Sequence, residues 1–507
     1  MRPRPILFAS LSLFLIPLLA QSEIILAPIF KDHAVVQRDK PLPVWGRATA
    51  GEKLAVTFRD QTFNTTADAD GRWIVYFAPL AASSDGAELV VTGNDTVVVK
   101  DVLVGEVWLA SGQSNMEWPA SRVHEDEKPM TAVEIPLLRH LKIEQTVAGS
   151  PEEMVSTGEW QTASAETVGG FSAVAYFYAR ELQRKIGVPV GIINSSWGGT
   201  EIEAWMSDAS RQATAHGATI DLRWQQAMNA WTPERVAAYP AEMDAWQKAE
   251  EQARATRATN LLVWPSPPAT QDSPARPGGL FNGMIAPLQP GAIRGVLWYQ
   301  GESNAERPSE YADLFPAMIR AWRANWGDAQ LPFIFVQLPK FAYGGNPRGR
   351  EWARLREAQT KALELPATAM AVMIDLGEPN DVHPTRKYEV GRRLALAAKS
   401  RVYGIPGDFS GPIFAGAKRE GSTMRVSFTH AGPGLVAHHR PVQSLEIAGS
   451  DRVFHAGEGR IDRDTLVVSS PAVKEPVAVR YAWSNAPEAN LYDGAGLPAA
   501  PFRSDDW

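Results

Sequence analysis

The stretch that decides the fold covers residues 107–118 and reads Val-Trp-Leu-Ala-Ser-Gly-Gln-Ser-Asn-Met-Glu-Trp. It begins as an apolar run and stops abruptly at small and polar residues. Residues 102–109 are β-branched and aliphatic enough for a strand buried on both faces, so residues 111–115 are predicted to form the turn at its carboxyl end. In open α/β sheets such turns line the ligand crevice. An ordinary strand-to-helix turn fits this stretch equally well, because Ser, Gly and Asn are common in turns.

Beyond residue 114 the chain alternates apolar strands with amphipathic helices. The predicted strands cover residues 188–194, 294–299, 332–338 and 369–375, and the clearest helices cover residues 171–186 and 387–402. Strands joined by helical crossovers predict a parallel sheet with helices on both faces. The fold class is therefore predicted to be α/β.

Four regions are predicted along the chain. They are a signal peptide at residues 1–22, an N-terminal β-sandwich domain at 23–101, an α/β domain at 102–406 with an insertion at 207–280, and a C-terminal β region at 407–507. Short alternating apolar runs separated by Asp-Gly and Gly-Asn turns predict the N-terminal sandwich. The C-terminal region has the same pattern, and its sequence leaves open whether it is separate or pairs with the first sandwich.

Composition and charge restrict the cellular context and the partners. Arg2 and Arg4 precede an apolar run at residues 6–19 that is too short to span a bilayer, which predicts a secretory signal peptide and a secreted or periplasmic protein. Leu18 fits poorly at the position three residues before a cut after Ala20, so an uncleaved anchor is the alternative. Without the two arginines the net charge goes from -7 to about -9, which argues against nucleic-acid or anionic-membrane partners.

The chemistry-bearing residues lie at the predicted strand ends. With no cysteine there is no thiolate nucleophile, whereas a serine hydrolase needs a hydroxyl, a base, a group that orients the base, and oxyanion donors. The candidates in chain order are Ser114 after the first strand, Gly198 and Gly199 after the second, Asn304 after the third, and His383 with Asp381 or Asn380 after the last. Four such candidates at four consecutive strand ends favour a serine hydrolase.

Together these residues resemble the SGNH hydrolase superfamily, and specifically the sialate O-acetylesterase family with its carbohydrate acetylesterase relatives. The matching segments are residues 112–116, 196–200, 298–304 and 380–384, with further likeness at 282–287, 480–485 and 502–507. The resemblance implies an SGNH-type, flavodoxin-like three-layer sandwich around a parallel sheet. Met116 stands where the nucleophile elbow of α/β-hydrolases requires a second glycine, which argues against lipase or peptidase chemistry.

The resemblance also implies roles for individual residues. Ser114 would be the nucleophile and His383 the general base and then the general acid. The oxyanion hole would use the Ser114 backbone, a backbone N–H of Gly198 or Gly199, and the Asn304 amide.

The acid behind His383 is the point where this chain departs from the superfamily pattern. The superfamily places an Asp three residues before the His, whereas this chain has Asn380 there and Asp381 only two residues before. We favour Asp381 as the orienting acid over Glu302, and a backbone carbonyl is the third alternative.

A second set of residues near the strand ends is expected to contact the sugar. These residues are Gln113, Trp197, Glu203, Gln300 and Glu302. Gln113 and Gln300 could instead brace the loops, and Glu203 could have a buried structural role. No cofactor or metal is expected, because the spacing of Asp381 and His383 is not that of metal ligands.

The sequence therefore predicts an exported esterase that removes acetyl groups from an O-acetylated carbohydrate, with no membrane partner once the signal peptide is cleaved. The motifs do not distinguish sialic acid from plant hemicellulose such as xylan or xyloglucan. A non-catalytic carbohydrate-binding protein is the alternative from another class, and the joint presence of Ser114, Asn304 and His383 argues against it.

Overall fold

The computed structural model describes residues 23–256, 265, 268–289, 291–438 and 440–507. The predicted signal peptide at residues 1–22 lies outside the described residues.

Seven short strands open the described chain: β1 Ile25–Leu26, β2 Val35–Gln37, β3 Leu42–Arg47, β4 Lys53–Phe58, β5 Gln61–Thr66, β6 Arg72–Phe77 and β7 Ser83–Thr92. Strands β1, β3 and β6 form one antiparallel sheet, and β4 pairs with β5 and β7. In β4 the side chains of Leu54, Val56 and Phe58 are buried at alternate positions, because successive residues of a strand face opposite sides.

One strand, β8 at Thr96–Gly112, connects the N-terminal strands to the central sheet. Its first part pairs with β7 and its middle part with β2, and its last part continues into the parallel sheet described next. The predicted division between residues 101 and 102 falls inside this strand, next to Asp101, whose φ is 56°.

The central region follows as α1 Ser114–Glu117, α2 Lys128–Thr131, β9 Ile135–Lys142, β10 Gln161–Ala163, α3 Ala173–Ile186, β11 Val190–Ser196, α4 Asp208–Gln212, α5 Gly217–Ala230, α6 Pro233–Ala255, β12 Gly295–Tyr299, α7 Pro308–Asn325, β13 Phe333–Gln337, α8 Glu351–Lys361, β14 Thr368–Val372 and α9 Tyr388–Arg401. The strand order is β10-β9-β11-β8-β12-β13-β14. All neighbours from β9 to β14 are parallel, and β10 is antiparallel at the edge. The α/β class is confirmed, while the finer SGNH-type assignment stays a prediction.

Strand β8 lies in the middle of this sheet, between β11 and β12. The chain goes to one side of β8 for β11 and to the other side for β12 and the strands after it. Helix α3 packs on α9 and α7 packs on α8, and right-handed crossovers place these two pairs on opposite faces of the sheet. The ends of β8, β11 and β12 therefore meet where the strand order reverses, the place at which open α/β sheets bind ligands.

The C-terminal region consists of β15 Ile413–Glu420, β16 Thr423–Thr429, β17 Leu435–Val436, β18 Leu445–Ala448, β19 Phe454–Ala456, β20 Glu458–Asp462, β21 Thr465–Ser469, β22 Ala478–Tyr481, β23 Tyr492–Asp493 and β24 Phe502–Arg503. These strands pair among themselves in two four-stranded sheets and one two-stranded sheet, which confirms a C-terminal β region. The region contacts α8 through the fully buried Arg356, whose guanidinium donates to the carbonyl oxygens of Ser484 (2.9 Å) and Asn485 (2.8 Å).

Candidate active site

The turn that carries the serine depends on a glycine. Strand β8 extends to Gly112, beyond the predicted end at residue 109, because β11 and β12 pair with it along that whole length. Gly112 has a φ of 135°, and a Cβ atom there would lie 2.1 Å from the carbonyl oxygen of Tyr299. Only glycine is compatible with both conditions. The N–H of Gln113 donates to the same Tyr299 oxygen (3.0 Å), and Ser114 then begins α1.

Ser114 and His383 are brought together from positions 269 residues apart in the chain. The Nε2 atom of His383 lies 2.8 Å from Ser114 Oγ. This distance is within the range required for a base that removes a hydroxyl proton directly.

The loop that carries His383 is held on two sides. Asp381 Oδ1 accepts the backbone N–H of His383 (2.8 Å), whereas the neighbouring Asn380 is exposed. The Trp118 ring stacks on the His383 imidazole with 5.3 Å between ring centroids and 22° between planes. The imidazole is thus packed against the helix turn that follows Ser114.

Asn115 links the serine turn to two other segments. Its buried Nδ2 atom donates to Glu302 Oε1 (2.7 Å) and to the carbonyl oxygen of Val382 (2.9 Å), the residue before His383. Its Oδ1 atom accepts from the Lys387 ammonium. One amide therefore joins the ends of β8 and β12 to the histidine loop.

The two ionisable partners of Asn115 are strongly affected by burial. Burial raises the pKa of Glu302, although the hydrogen bond from Asn115 opposes this shift. Burial lowers the pKa of Lys387 to about 7, and the charge of Glu302 is the strongest influence in the opposite direction. Glu302 Oε2 is buried and has no hydrogen-bond partner within the described part of the chain.

The two candidate glycines differ in what their surroundings permit. The Gly198 N–H donates to Glu117 Oε2 (2.7 Å), and a Cβ atom on Gly198 would lie 3.2 Å from Ser114 Cβ. Gly199 is exposed and has a φ of 73°. Gly198 therefore lies against the serine with its N–H occupied by a carboxylate.

Asn304 is fully buried at the end of β12, beside the loop that follows β11. Its Oδ1 atom accepts from the Ile202 N–H (2.9 Å) and from Gln300 Nε2 (2.7 Å). Its Nδ2 atom donates to Glu203 Oε2 (2.9 Å). Three bonds fix the orientation of this amide.

Glu203 belongs to a group of charged residues that includes the insertion. Its Oε1 atom accepts from Nη2 of Arg223 in α5 (3.2 Å) and from Nη2 of Arg307 (3.4 Å), and Arg223 also pairs with Glu310 (2.9 Å). Burial, followed by the charge of Glu203, raises the pKa of the neighbouring Glu201 to about 7.

The remaining candidates hold neighbouring backbone groups. Gln113 Oε1 accepts the N–H groups of Gly301 (3.2 Å) and Ser303 (3.3 Å). The half-buried Trp197 donates its backbone N–H to the Gly112 carbonyl (3.1 Å), and Gln300 Nε2 donates to the Thr200 carbonyl (3.1 Å). These contacts tie together the turns at the ends of three parallel strands.

Four residues with contacts in this site had no assigned role from the sequence: Asn115, Glu117, Trp118 and Lys387. The first three lie within the quoted stretch at residues 107–118, so the stretch itself was the available signal. Lys387 follows His383 by four residues, which is one helical turn, and this spacing was its only signal.

Among the residues that the structure describes, no group of three or more His, Asp or Glu side chains is arranged to hold a metal ion. No helix within the described ranges is long and apolar enough to cross a membrane.

The matches to known proteins are consistent over most of the chain. A family model described as carbohydrate esterase, sialic acid-specific acetylesterase, matches residues 104–263 and 275–400. The sialate O-acetylesterase of Mus musculus is 29% identical, with 94% of this chain and 93% of that protein covered. The sialate O-acetylesterase of Homo sapiens is 26% identical, with 90% and 88% covered.

A solved structure agrees with these matches. The crystal structure of a carbohydrate acetylesterase from Xanthomonas citri superposes with a TM-score of 0.81 at 39% sequence identity, and the match covers 96% of this chain and 100% of that one. The likeness therefore includes the N-terminal and C-terminal β regions as well as the α/β region.

Proposed function

Because the chain belongs to the sialic acid-specific acetylesterase family of carbohydrate esterases, and is therefore a carboxylic ester hydrolase, we propose that it removes O-acetyl groups through an acetyl-enzyme on Ser114. The observation that carries this proposal is the 2.8 Å contact between Ser114 Oγ and His383 Nε2. A serine hydroxyl is a weak nucleophile until an adjacent base takes its proton.

The proposed first step is acylation. His383 Nε2 accepts the proton of Ser114 as Oγ forms a bond to the acetyl carbonyl carbon, and the carbonyl oxygen becomes an oxyanion. His383 then gives the proton to the departing sugar oxygen as the ester bond breaks. In the second step His383 takes a proton from water, the water oxygen attacks the acetyl carbon, and acetate leaves as Ser114 regains its proton.

Three donors are proposed for the oxyanion. The Ser114 backbone N–H is at the start of α1. Of the two glycines we assign Gly199, because the Gly198 N–H already donates to a carboxylate. The third donor is the second N–H of the Asn304 amide, since an amide nitrogen carries two hydrogens and Glu203 takes one of them.

Asp381 is proposed as the acid that orients His383. Its carboxylate accepts the His383 backbone N–H, so the acid is already held against the histidine. Glu302 instead bonds Asn115, which favours a supporting role for that residue.

Sialic acid is the first substrate candidate, because the mouse and human relatives are sialate O-acetylesterases. An acetylated neutral sugar, such as those of xylan or xyloglucan, is the second. It is favoured by the charges around Glu203, where Arg223 and Arg307 are already paired with Glu203 and Glu310. A substrate carboxylate would have to compete with these ion pairs.

The function is tested by acetate release. Wild-type protein is expected to hydrolyse p-nitrophenyl acetate, and Ser114→Ala is expected to lower kcat by about 10⁶-fold, the order found when a triad serine is removed. A Ser114→Ala protein with the wild-type rate would overturn the assignment of the nucleophile. Acetate release from O-acetylated sialic acid, compared with release from acetylated xylan and xyloglucan, decides between the two substrates.

We further propose that the protein is exported, either secreted or periplasmic, on the basis of Arg2, Arg4 and the apolar run at residues 6–19. Amino-terminal sequencing of protein recovered outside the cytoplasm is expected to start after Ala20 or Ser22. A protein found only in the cytoplasm, still beginning at Met1, would contradict export.

A further inference from the structure

Lys387 is a fully buried lysine directly behind the proposed catalytic pair. It precedes α9, and its ammonium donates to Asn115 Oδ1. The same nitrogen lies 5.5 Å from the centroid of the Trp118 ring and 5.8 Å from that of the Tyr299 ring, within the range of cation–π attraction. Lysine is almost never fully buried unless it is paired, so its presence here calls for a reason.

Two of the side chains around the ammonium, those of Asn115 and Trp118, belong to residues that adjoin the proposed catalytic pair. Asn115 follows Ser114 directly and donates to the Val382 carbonyl, one residue before His383. Trp118 stacks on the His383 imidazole. Lys387 thus reaches both members of the pair through a single intermediate side chain in each case.

The charge of Lys387 has a specific task in this arrangement. An amide can present either its oxygen or its nitrogen to a neighbour. Because the ammonium can only donate, Asn115 must turn Oδ1 toward Lys387, and Nδ2 is then directed at Glu302 and Val382. Loss of the ammonium leaves Asn115 Oδ1 without this donor and removes a positive charge that acts on the Glu302 carboxylate.

We propose that Lys387 is a positioning residue of the esterase: its ammonium fixes the Asn115 amide and the Trp118 ring, which hold Ser114 Oγ and His383 Nε2 within hydrogen-bond distance. This inference rests on the proposed roles of Ser114 and His383. Lys387 does not touch the reacting atoms itself, so its effect on the reaction passes through its neighbours.

Charged groups from several segments face the ammonium. The carboxylates of Glu302, Asp381, Glu127 and Glu378 all favour its protonated form, and Glu127 also accepts the Lys387 backbone N–H (2.9 Å). Burial acts against them and brings the pKa of Lys387 to about 7. The ammonium therefore loses its proton within the range in which an esterase is assayed, which provides a pH signature.

The first experiment compares Lys387→Met with Lys387→Arg in the full chain, using p-nitrophenyl acetate and a thermal melt of each variant. Lys387→Met is expected to lower kcat by about 100-fold, the loss typical of a small misplacement of reacting groups, with KM unchanged. Lys387→Arg keeps a buried cation and is expected to restore most of kcat. In wild type, kcat is expected to decline on the alkaline side as the ammonium loses its proton, and this decline should move to higher pH in Lys387→Arg.

A matched control is Lys40→Met. Lys40 is a partly buried lysine that bonds Asp328 (3.0 Å) and the Ile293 carbonyl (3.0 Å), residues far in the chain from Ser114 and His383. Its loss is expected to lower the melting temperature and leave kcat and the pH profile unchanged.

A double-mutant cycle tests the route through Asn115. If Lys387 acts through that amide, Lys387→Met is expected to cost clearly less in an Asn115→Ala background than in wild type. A folded Lys387→Met enzyme with wild-type kcat overturns the proposal. So does a double mutant whose fold-loss in kcat equals the product of the fold-losses of the two single mutants. If Lys387→Met does not fold, an unmoved alkaline decline in Lys387→Arg overturns it.

Ser114→Ala, measured alongside, separates the two levels of inference. If Ser114→Ala keeps its activity, the proposed function itself has failed. If Ser114→Ala is inactive while the Lys387 variants behave as wild type, only the role of Lys387 has failed.

Discussion

Two polar clusters lie behind the strand ends of the site, and they are built differently. The lysine cluster consists of Asn115, Glu302 and Lys387, with one fully buried ammonium at its centre. The arginine cluster surrounds Glu203 and Asn304 and includes Arg223 and Arg307, whose side chains are 34% and 23% exposed. In the first, Asn115 and Lys387 are fully buried and Glu302 is half-buried. The second extends to the insertion helix α5.

Because the two clusters differ in burial, changes in them are expected to affect catalysis to different extents. In the lysine cluster a single residue or a single side chain separates each contact from Ser114 or His383. Electrostatic interactions stay strong there because the cluster is largely buried. In the arginine cluster the arginine side chains are partly exposed, so water screens these ion pairs more than it screens the bond between Lys387 and Asn115. Asn304, which we propose as an oxyanion donor, is the member of the arginine cluster whose loss is expected to affect the reaction most.

The largest effect expected from a change in either cluster therefore tests whether the arginine cluster takes part in chemistry. We expect Asn304→Ala to lower kcat by about 100- to 1000-fold, the usual cost of removing one oxyanion donor, while the protein remains folded. The exposed Asn325→Ala in α7 is the control. Unchanged turnover in a folded Asn304→Ala enzyme would reduce the arginine cluster to a purely structural role.

A smaller effect is expected from the carboxylate that holds Asn304. Glu203→Gln keeps the shape of the side chain but removes the charge that accepts from Asn304 Nδ2. The loss of one charge-assisted hydrogen bond is about 1.5 kcal/mol, or roughly tenfold in kcat. The measurement is kcat on p-nitrophenyl acetate.

The matched control for that change is Glu310→Gln. Glu310 also pairs with Arg223 but belongs to the outer part of the cluster. Its replacement is expected to leave kcat close to the wild-type value. An equal loss in the two variants would mean that the ion pairs, rather than the bond to Asn304, carry the effect.

The smallest expected effect is on the pH dependence of the unfolding free energy, and it tests the burial of Lys387 in the lysine cluster. The pKa of Lys387 falls from 10.5 to about 7 on folding, so between these values the unfolded chain holds a proton that the folded chain has released. Relative to Lys387→Met, wild type should therefore gain up to about 1.4 kcal/mol of unfolding free energy from pH 8 to pH 9. Denaturant unfolding of both proteins at each pH measures the difference.

Glu302 should show the opposite slope. Its pKa is raised above 4.5 in the folded protein, so the folded state keeps a proton that the unfolded state has lost. Relative to Glu302→Gln, wild type is expected to lose stability as pH rises from 4.5 through the folded pKa. Parallel stability curves for wild type and either variant would contradict the assigned burial of that group.

Much of the site could be predicted from the chain because its members stand directly after apolar strands. Ser114 and His383 were identified from such positions and from the family motifs, and the structure places them 2.8 Å apart. Trp118 and Lys387 were missed although one lies in the quoted stretch and the other is four residues from His383. An aromatic ring usually packs in the core, and a lysine usually lies on the surface. Neither composition nor spacing shows which side chains will pack around them.

The sequence by itself determined the α/β class and the position of the serine at the end of a buried strand, because apolar periodicity is local and survives without any knowledge of partners. Only the tertiary structure decided that a single strand, β8, runs from the N-terminal strands into the parallel sheet. The same holds for the buried Lys387 behind Ser114 and His383 and for the Gly198 N–H that donates to Glu117. These features depend on packing between segments far apart in the chain, where desolvation and charge pairing act only after the strands have met.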